Sequence, residues 1–556
     1  MASYGTDNES INSTTSNDEA IPVKSLEKHA PSRQAELDTD TDDIHYEYLN
    51  FTTELPPYAL TSPYPDGPQP PNLKKYDNPF GWSRAHKNTI LFLCTASTWC
   101  AAYSAGSYSI ASEPMREKWG LSLVAFNTGV TCWAAGFGIA PMFLAPFSEI
   151  NGRKPVFLAS GFVLLAAQIG CAFADTFAGM LVARFFVGAA ASTFSTIIGG
   201  VLSDIYHAED RNTPMAVYSG GALAGTGFGP FLCGFIIDRA SYRWVFYHQI
   251  ASIGVLVIIM TLFFRETRGS VLLSRRAKVL NDYFAALENS GYLPPQNADN
   301  TTTTSPSSNP AKRLRYRCLA DEQRATISRM IYLSLTTPFK LLSTEPVVFF
   351  FSMWAAFAWA VLYMTFAVIP VVFTARHNFD AQANGLVFLA IAIGAIVGAL
   401  LSIYQERVAR AYFPDLLQKP EGRLYFACLE SALLPIGLFW FGWTSFSSVH
   451  WASPVIALGV AQVGIFSIYL AVFNYLADVY HRYASSALAG QSFCRNVGAA
   501  VFPLFTVQMF QGLGFPGAAS LLGGVGALLT LVPWVLVFHG EKIRRRSRIA
   551  REIMGE

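Results

Sequence analysis

The chain has 556 residues, 52% hydrophobic and only 14% charged, with a formal net charge of +2. Soluble domains carry about 25% charged residues, so a soluble enzyme or a nucleic-acid-binding module is excluded and an integral membrane protein is implied. The eight cysteines form no CxxC pair and fall mostly inside apolar runs, which argues against a disulfide framework or a zinc site.

Residues 1–85 are rich in Ser, Thr, Asp, Asn and Pro, a composition that cannot bury enough apolar surface to fold alone. They read as a disordered cytosolic tail without a secretory signal. Six apolar segments follow, centred near 100, 135, 165, 190, 226 and 254, then a polar linker at 266–342, then six more near 360, 394, 433, 463, 498 and 528. Each run is close to the ~20 residues that cross a bilayer as a helix. The expected architecture is therefore an all-α membrane protein with six-helix units at 86–265 and 343–540, a solvated linker carrying short amphipathic helical pieces, and a basic tail at 541–556.

Lys and Arg mark the cytosolic loops. With the N-terminus inside, that face receives Lys74, Lys75, Arg84, Lys87, Arg153, Lys154, Arg211, the linker cations, Arg407, Arg410, Lys419, Arg423 and EKIRRRSRIAR. The outer face receives only Arg116, Lys118, Arg239, Arg243 and Arg376, so both termini are expected in the cytosol. The sequons at Asn12 and Asn300 then face the cytosol and are chance matches.

Between spans two and three lies SEINGRKPVF, an acid, a glycine and two cations wedged between apolar runs, which reads as a tight turn at the membrane surface. Arg184 lies inside the fourth run, where an arginine costs about 2.5–3.5 kcal/mol on insertion scales. It is a functional candidate, with snorkelling to the outer surface as the rival account. For Arg495, nearer the cytosol, the two accounts weigh equally. Asp204 closes span four, and Asn474 with Asp478 closes span ten; solvated helix ends explain the acids equally simply. In span five Gly221, Gly225 and Gly229 share one helix face ahead of Pro230, which gives a seam for close packing beside a kink.

SEINGRKPVF, LVARFFVG, GTGFGPFLCGF, PEGRL and VFNYLADVYHRYASSALAGQSFCRNVGAAVFPLF resemble, in order, motifs of the major facilitator superfamily, in the form common in fungal drug:proton antiporters of twelve spans. The resemblance covers residues from about 85 to 547. Ala145, Phe147 and Cys233 depart from the motifs. It implies two pseudo-symmetric six-helix bundles, with Gly152 making the turn and Glu149, Arg153 and Lys154 at a cytosolic gate in which Glu149 and Arg153 relay charge with Asp204. It also implies a span-five antiporter motif of Gly221, Gly225, Gly229, Pro230 and Gly234. A cavity between the halves would draw on Tyr103, Tyr108, Phe126, Trp133, Arg184, Trp354, Trp359, Tyr363, Phe473 and Asn474, with Asp478 and Arg495 as further polar groups of the second half.

The expected function is proton-driven export of small amphipathic compounds by a monomer in the plasma membrane, with a nutrient facilitator or importer as the alternative and a non-transporting sensor behind both. No GxxxxGK[ST] or HExxH motif is present, so neither a nucleotide engine, an enzyme nor a cofactor is expected. The middle of the first six spans holds no Asp or Glu to carry the proton. Coupling then runs through the Glu149–Asp204 cluster or Asp478, or the protein is a facilitator.

Overall fold

The computed structural model describes residues 44–60, 67–207, 210–292, 313–323, 326–412, 420–480 and 483–546. The two sequons, Lys419 and the last ten residues of the basic tail lie outside them. Among the described residues nine long apolar helices are separate: span two at Leu123–Asn151, three at Arg153–Phe173, four at Phe177–Ile205, five at Asn212–Arg239, six at Trp244–Phe263, seven at Pro346–His377, eight at Ala381–Tyr412, nine at Tyr425–Thr444 and ten at Ala452–Tyr480. A further continuous stretch, Ala484–Gly540, breaks at Gly514 (φ 71°) into spans eleven and twelve. Helix Arg84–Ile110 is 27 residues long but diluted by Ser, Thr and Tyr; it packs along span five and completes the twelve as span one. The protein is an all-α membrane protein of two six-helix bundles.

Spans four, five, seven and ten are the most buried, at 61–72%, and stand at the centre. Small residues let the backbones approach where lipid supplies no hydrophobic drive. Within the first half Gly136 and Gly188 seat spans two and four on each other, and within the second Gly394 and Gly398 seat span eight on Gln462 and Phe466 of span ten. The halves meet along two pseudo-equivalent seams, span five on eight and span two on eleven. In the latter, Asn127 Nδ2 donates to the Pro503 carbonyl at 3.0 Å and Thr131 Oγ1 to that of Ala500 at 2.7 Å.

The end of the bundle from which the N-terminal segment enters span one, the tail end, differs from expectation. Of the residues assigned by composition to a disordered tail, 44–60 and 73–76 pack against the linker, and Phe80 stacks on His207 at the end of span four. Strand β1 (Ile44–Tyr48) pairs in parallel with linker strand β2 (Arg313–Arg317). Strand β2 rests on a 21-residue linker helix, Gly269–Asn289, and Leu49 and Tyr58 of the tail join Leu280, Phe284, Leu287 and Tyr316 in one core. Asn281 grips the backbone N–H and C=O of Tyr316, both at 2.8 Å. The tail lacks a core of its own; the linker supplies the rest of one.

Arg315 closes this clasp on Glu288 at 2.7 Å, and its hydrogen bond holds the Glu288 carboxyl below the ordinary value of 4.5. A depressed carboxyl stabilises the folded form above the unfolded value and loses that contribution as pH falls through the lower folded one. Hydrogen exchange at the amides of 44–48 and 313–317, corrected for intrinsic rates, is therefore expected to stay level down to about pH 4.5 and to accelerate below it.

Candidate transport site

Rings from both halves meet at the centre. Trp133 of span two lies 6.2 Å from Tyr363 of span seven, Tyr363 lies 6.4 Å from Trp359, and Trp359 lies 5.4 Å from Tyr469 of span ten. One buried arginine, Arg495, stacks on this row, and a second, Arg184, is buried within the first half. Arg184 is 1% exposed, so it does not snorkel. Its guanidinium stacks 4.5 Å over Tyr108, which in turn stacks on Phe126. It donates to backbone carbonyls of Ser104 at 2.8 Å and Gly129 at 3.3 Å. Arg495 is 2% exposed and also points inward; it stacks 4.4 Å over Trp359 and 5.3 Å over Tyr469, and donates to Ser492 Oγ at 3.3 Å. Desolvated cation–π contacts are worth ~2 kcal/mol, which helps hold guanidiniums there.

Other cavity candidates lie elsewhere. Tyr103 turns to spans five and six, where its hydroxyl meets His248 Nε2 at 2.8 Å within a separate cluster with Cys233 and Val245. Trp354 packs on Phe351. Phe473 stands against Gly199 of span four, and Asn474 donates to Asn212 Oδ1 at 3.0 Å, so both are at the tail-end contact between halves.

The turn between spans two and three is built round a carboxylate that the motif does not contain. Gly152 has φ 100°, and a side chain there would collide with Glu266. Glu266 caps span three, accepting from the N–H of Arg153 at 2.8 Å and of Lys154 at 3.2 Å. Arg153, 5% exposed, pairs with Asp204 at 3.2 Å and donates to Ser148 at 2.7 Å, and Arg268 holds the second Asp204 oxygen at 3.3 Å. Glu149, expected in the relay, makes no hydrogen bond or ion pair among the described residues. It lies half-buried in the last turn of span two, before Gly152, and the ion pairs of the cluster are Arg153–Asp204 and Arg268–Asp204, with Glu266 capping backbone N–H groups. The signal for Glu266 was FRETRG, charged residues directly following span six.

Span five carries two glycine faces. Gly221, Gly225 and Gly229 abut Thr95, Trp99 and Tyr103 of span one, inside the first half. The seam between halves uses Gly220, Gly227 and Gly234, spaced seven apart, against Ala399, Ala392 and Ala381 of span eight. Pro230 meets Gly106 of span one on one side, and its carbonyl approaches Gly385 of span eight on the other. At the tail end of the seam Glu406, absent from the sequence-derived candidates, accepts from Asn212 Nδ2 at 2.8 Å and pairs with Arg410 at 2.7 Å. A cavity of about 70 Å³ there is lined by Asn212, Glu406, Glu430 and Asn474. Asp478 lies close enough to Arg211, at the start of span five, to act on it electrostatically.

This arrangement agrees with what the chain is similar to. The model of the Major Facilitator Superfamily matches residues 94–503. The efflux pump FUBT of Fusarium oxysporum is 32% identical, over 83% of this chain and 73% of that one. The major facilitator superfamily multidrug transporter mdrA of Aspergillus fumigatus is 30% identical, over 91% and 78%. The solved proton:xylose symporter XylE shares the fold, with a TM-score of 0.56 at 12% identity over 82% of this chain and 97% of that one. The chain is a membrane transporter of the Major Facilitator Superfamily with fungal efflux pumps among its relatives.

Proposed function

We propose that this transporter exports small amphipathic compounds, such as drugs, toxins or a secondary metabolite, in exchange for protons. It works as a monomer in the plasma membrane with both termini in the cytosol, where the Lys and Arg bias puts them. The observation that carries the reading is the row Trp133–Tyr363–Trp359–Tyr469, which joins the two halves where a cargo would be handed from one side to the other. Aromatic walls with few polar groups suit planar, amphipathic ligands. The names of the relatives, efflux pump and multidrug transporter, point the same way.

Rocking of the halves about the span five–eight and two–eleven seams exposes this centre alternately. The Arg153–Asp204–Arg268 cluster and the Asn212–Glu406 contact form the tail-end gate, which is cytosolic in this orientation. The proton is taken up by carboxylates of that gate, Asp204, Glu406 or Asp478, since the centre holds none among the described residues. Reconstituted vesicles loaded with a lipophilic dye test the reading: transport is expected to follow an imposed pH gradient and to stop when a protonophore removes it. Equal transport with and without the gradient would establish a facilitator.

A further inference from the structure

The cavity at the tail-end contact between the halves offers more hydrogen-bond acceptors than donors. It has a volume of about 70 Å³ and lies among spans five, eight, nine and ten. The direction of the hydrogen bonds around it is set by Glu406, a carboxylate that can only accept and that is paired with Arg410. Asn212 must turn its Nδ2 to Glu406, so it presents Oδ1 to Asn474, which answers with its own Nδ2 at 3.0 Å. Asn474 Oδ1 is then left without a donor. Gln405 likewise gives its Nε2 to Glu430 Oε1, and its own Oε1 and Glu430 Oε2 stay open. Among the described residues Glu430 has no ion pair.

An independent feature points into the same space. Ser467 of span ten borders the cavity and is 6% exposed, yet its hydroxyl makes no hydrogen bond among the described residues. Ser97 and Ser445, also buried within spans, return theirs to the carbonyl four residues earlier. Ser402 of span eight borders the cavity with a hydroxyl that is likewise unbonded among the described residues. Open oxygens from spans eight, nine and ten thus face one space, and Glu430 brings to it a negative charge that no ion pair balances.

Acceptors in excess and one unbalanced negative charge call for a cation. A divalent ion recruits more carboxylate than this, and among the described residues no three His, Cys, Asp or Glu groups gather to hold one. An ammonium group would donate only three hydrogen bonds. An alkali-metal ion takes oxygens of carboxylate, amide, hydroxyl and water together, and the cavity has room for waters to complete its shell, each needing at least about 10–15 Å³.

We propose that this cavity binds one monovalent alkali-metal ion, sodium or potassium, on the Glu430 carboxylate and the amide and hydroxyl oxygens of Gln405, Asn474, Ser402 and Ser467. The site goes beyond the export reading and does not depend on it. The orientation of Asn474 is set by Asn212 of the first half, so the ligands are in place only while the tail-end contact is closed, and the ion stabilises that closed form.

Scanning calorimetry of the purified full chain in nonionic micelles tests this, with N-methylglucammonium replaced by sodium, potassium or propylammonium at constant ionic strength. The thermal midpoint is expected to rise by about 1–2 °C when a bound metal ion reaches ten times its Kd. The ion that acts at the lower concentration is the one the site prefers. Glu430→Gln should abolish the rise, and Ser467→Ala should move it to about threefold higher concentration, as loss of one neutral ligand implies. Glu149→Gln removes another half-buried acid at the same end of the bundle, away from the cavity, and should leave the rise unchanged. Because each variant is compared with itself in two salts, a less stable variant still reports. No rise in the unaltered chain with either metal ion, a rise that survives in Glu430→Gln, or an equal rise with propylammonium would each overturn the proposal.

Discussion

Asp204→Asn is expected to lower stability by about 3–5 kcal/mol and to abolish transport, because it strips a buried arginine of its charge partner. Arg153 is 5% exposed and Asp204's side chain 9% exposed, so water cannot take over the pairing. Arg268 is a third exposed and can turn outward; Arg153 cannot, because Ser148 and the capped start of span three hold it in place. The double variant Arg153→Met with Asp204→Leu removes both charges and keeps the volume, a change that is often neutral for stability. It should therefore recover the thermal midpoint seen by scanning calorimetry. Transport should not recover, since an apolar plug has no ionic contact to break and remake. Recovery of both would reduce the cluster to a packing element.

Gly227→Leu is expected to cost at least 1–3 kcal/mol, as overpacking typically does, and to reduce transport more than its effect on folding explains. A Cβ at Gly227 would stand 2.7 Å from the Ala392 nitrogen and from the Phe388 oxygen, both span-eight backbone atoms that no rotamer change can move. The two halves must then part along this seam or remain strained against each other. Gly254→Leu is the matched control, since nothing lies within 4 Å of a Cβ there, and it should leave both the midpoint and the transport rate unchanged. Gly225→Leu pushes span one instead, within one half, and should destabilise that half without the same specific loss of flux per folded molecule.

Most of the architecture was legible because lipid imposes a period and a length on every crossing helix. Span one was found as an apolar segment centred near 100 although its Ser, Thr and Tyr residues dilute it. Single residues whose presence in a span is expensive, Arg184 and Arg495, were legible as oddities, and only geometry showed both facing inward. The glycine spacing of four in span five was conspicuous, yet it marks a contact inside one half. The spacing of seven, which marks the seam between halves, was passed over because the two patterns interleave on one helix. Glu266 and Glu406 escaped notice because charges near helix ends are ordinary in a membrane protein, and nothing local says which of them turn inward. The tail was misread for a similar reason: a short segment with few apolar residues is foldable when a distant stretch completes its core, and composition reports only the segment itself.

The pairing of β1 with β2 has a consequence for biogenesis. β1 leaves the ribosome before any span is made, whereas its partner emerges only after six have been delivered to the translocon. Until then the leading strand has an open edge, and it can be satisfied only when the first half has threaded to the end and returned the chain to the compartment where it began. A misthreaded first half would leave the two strands on opposite faces of the bilayer, so the ribbon closes only on a correctly threaded first half.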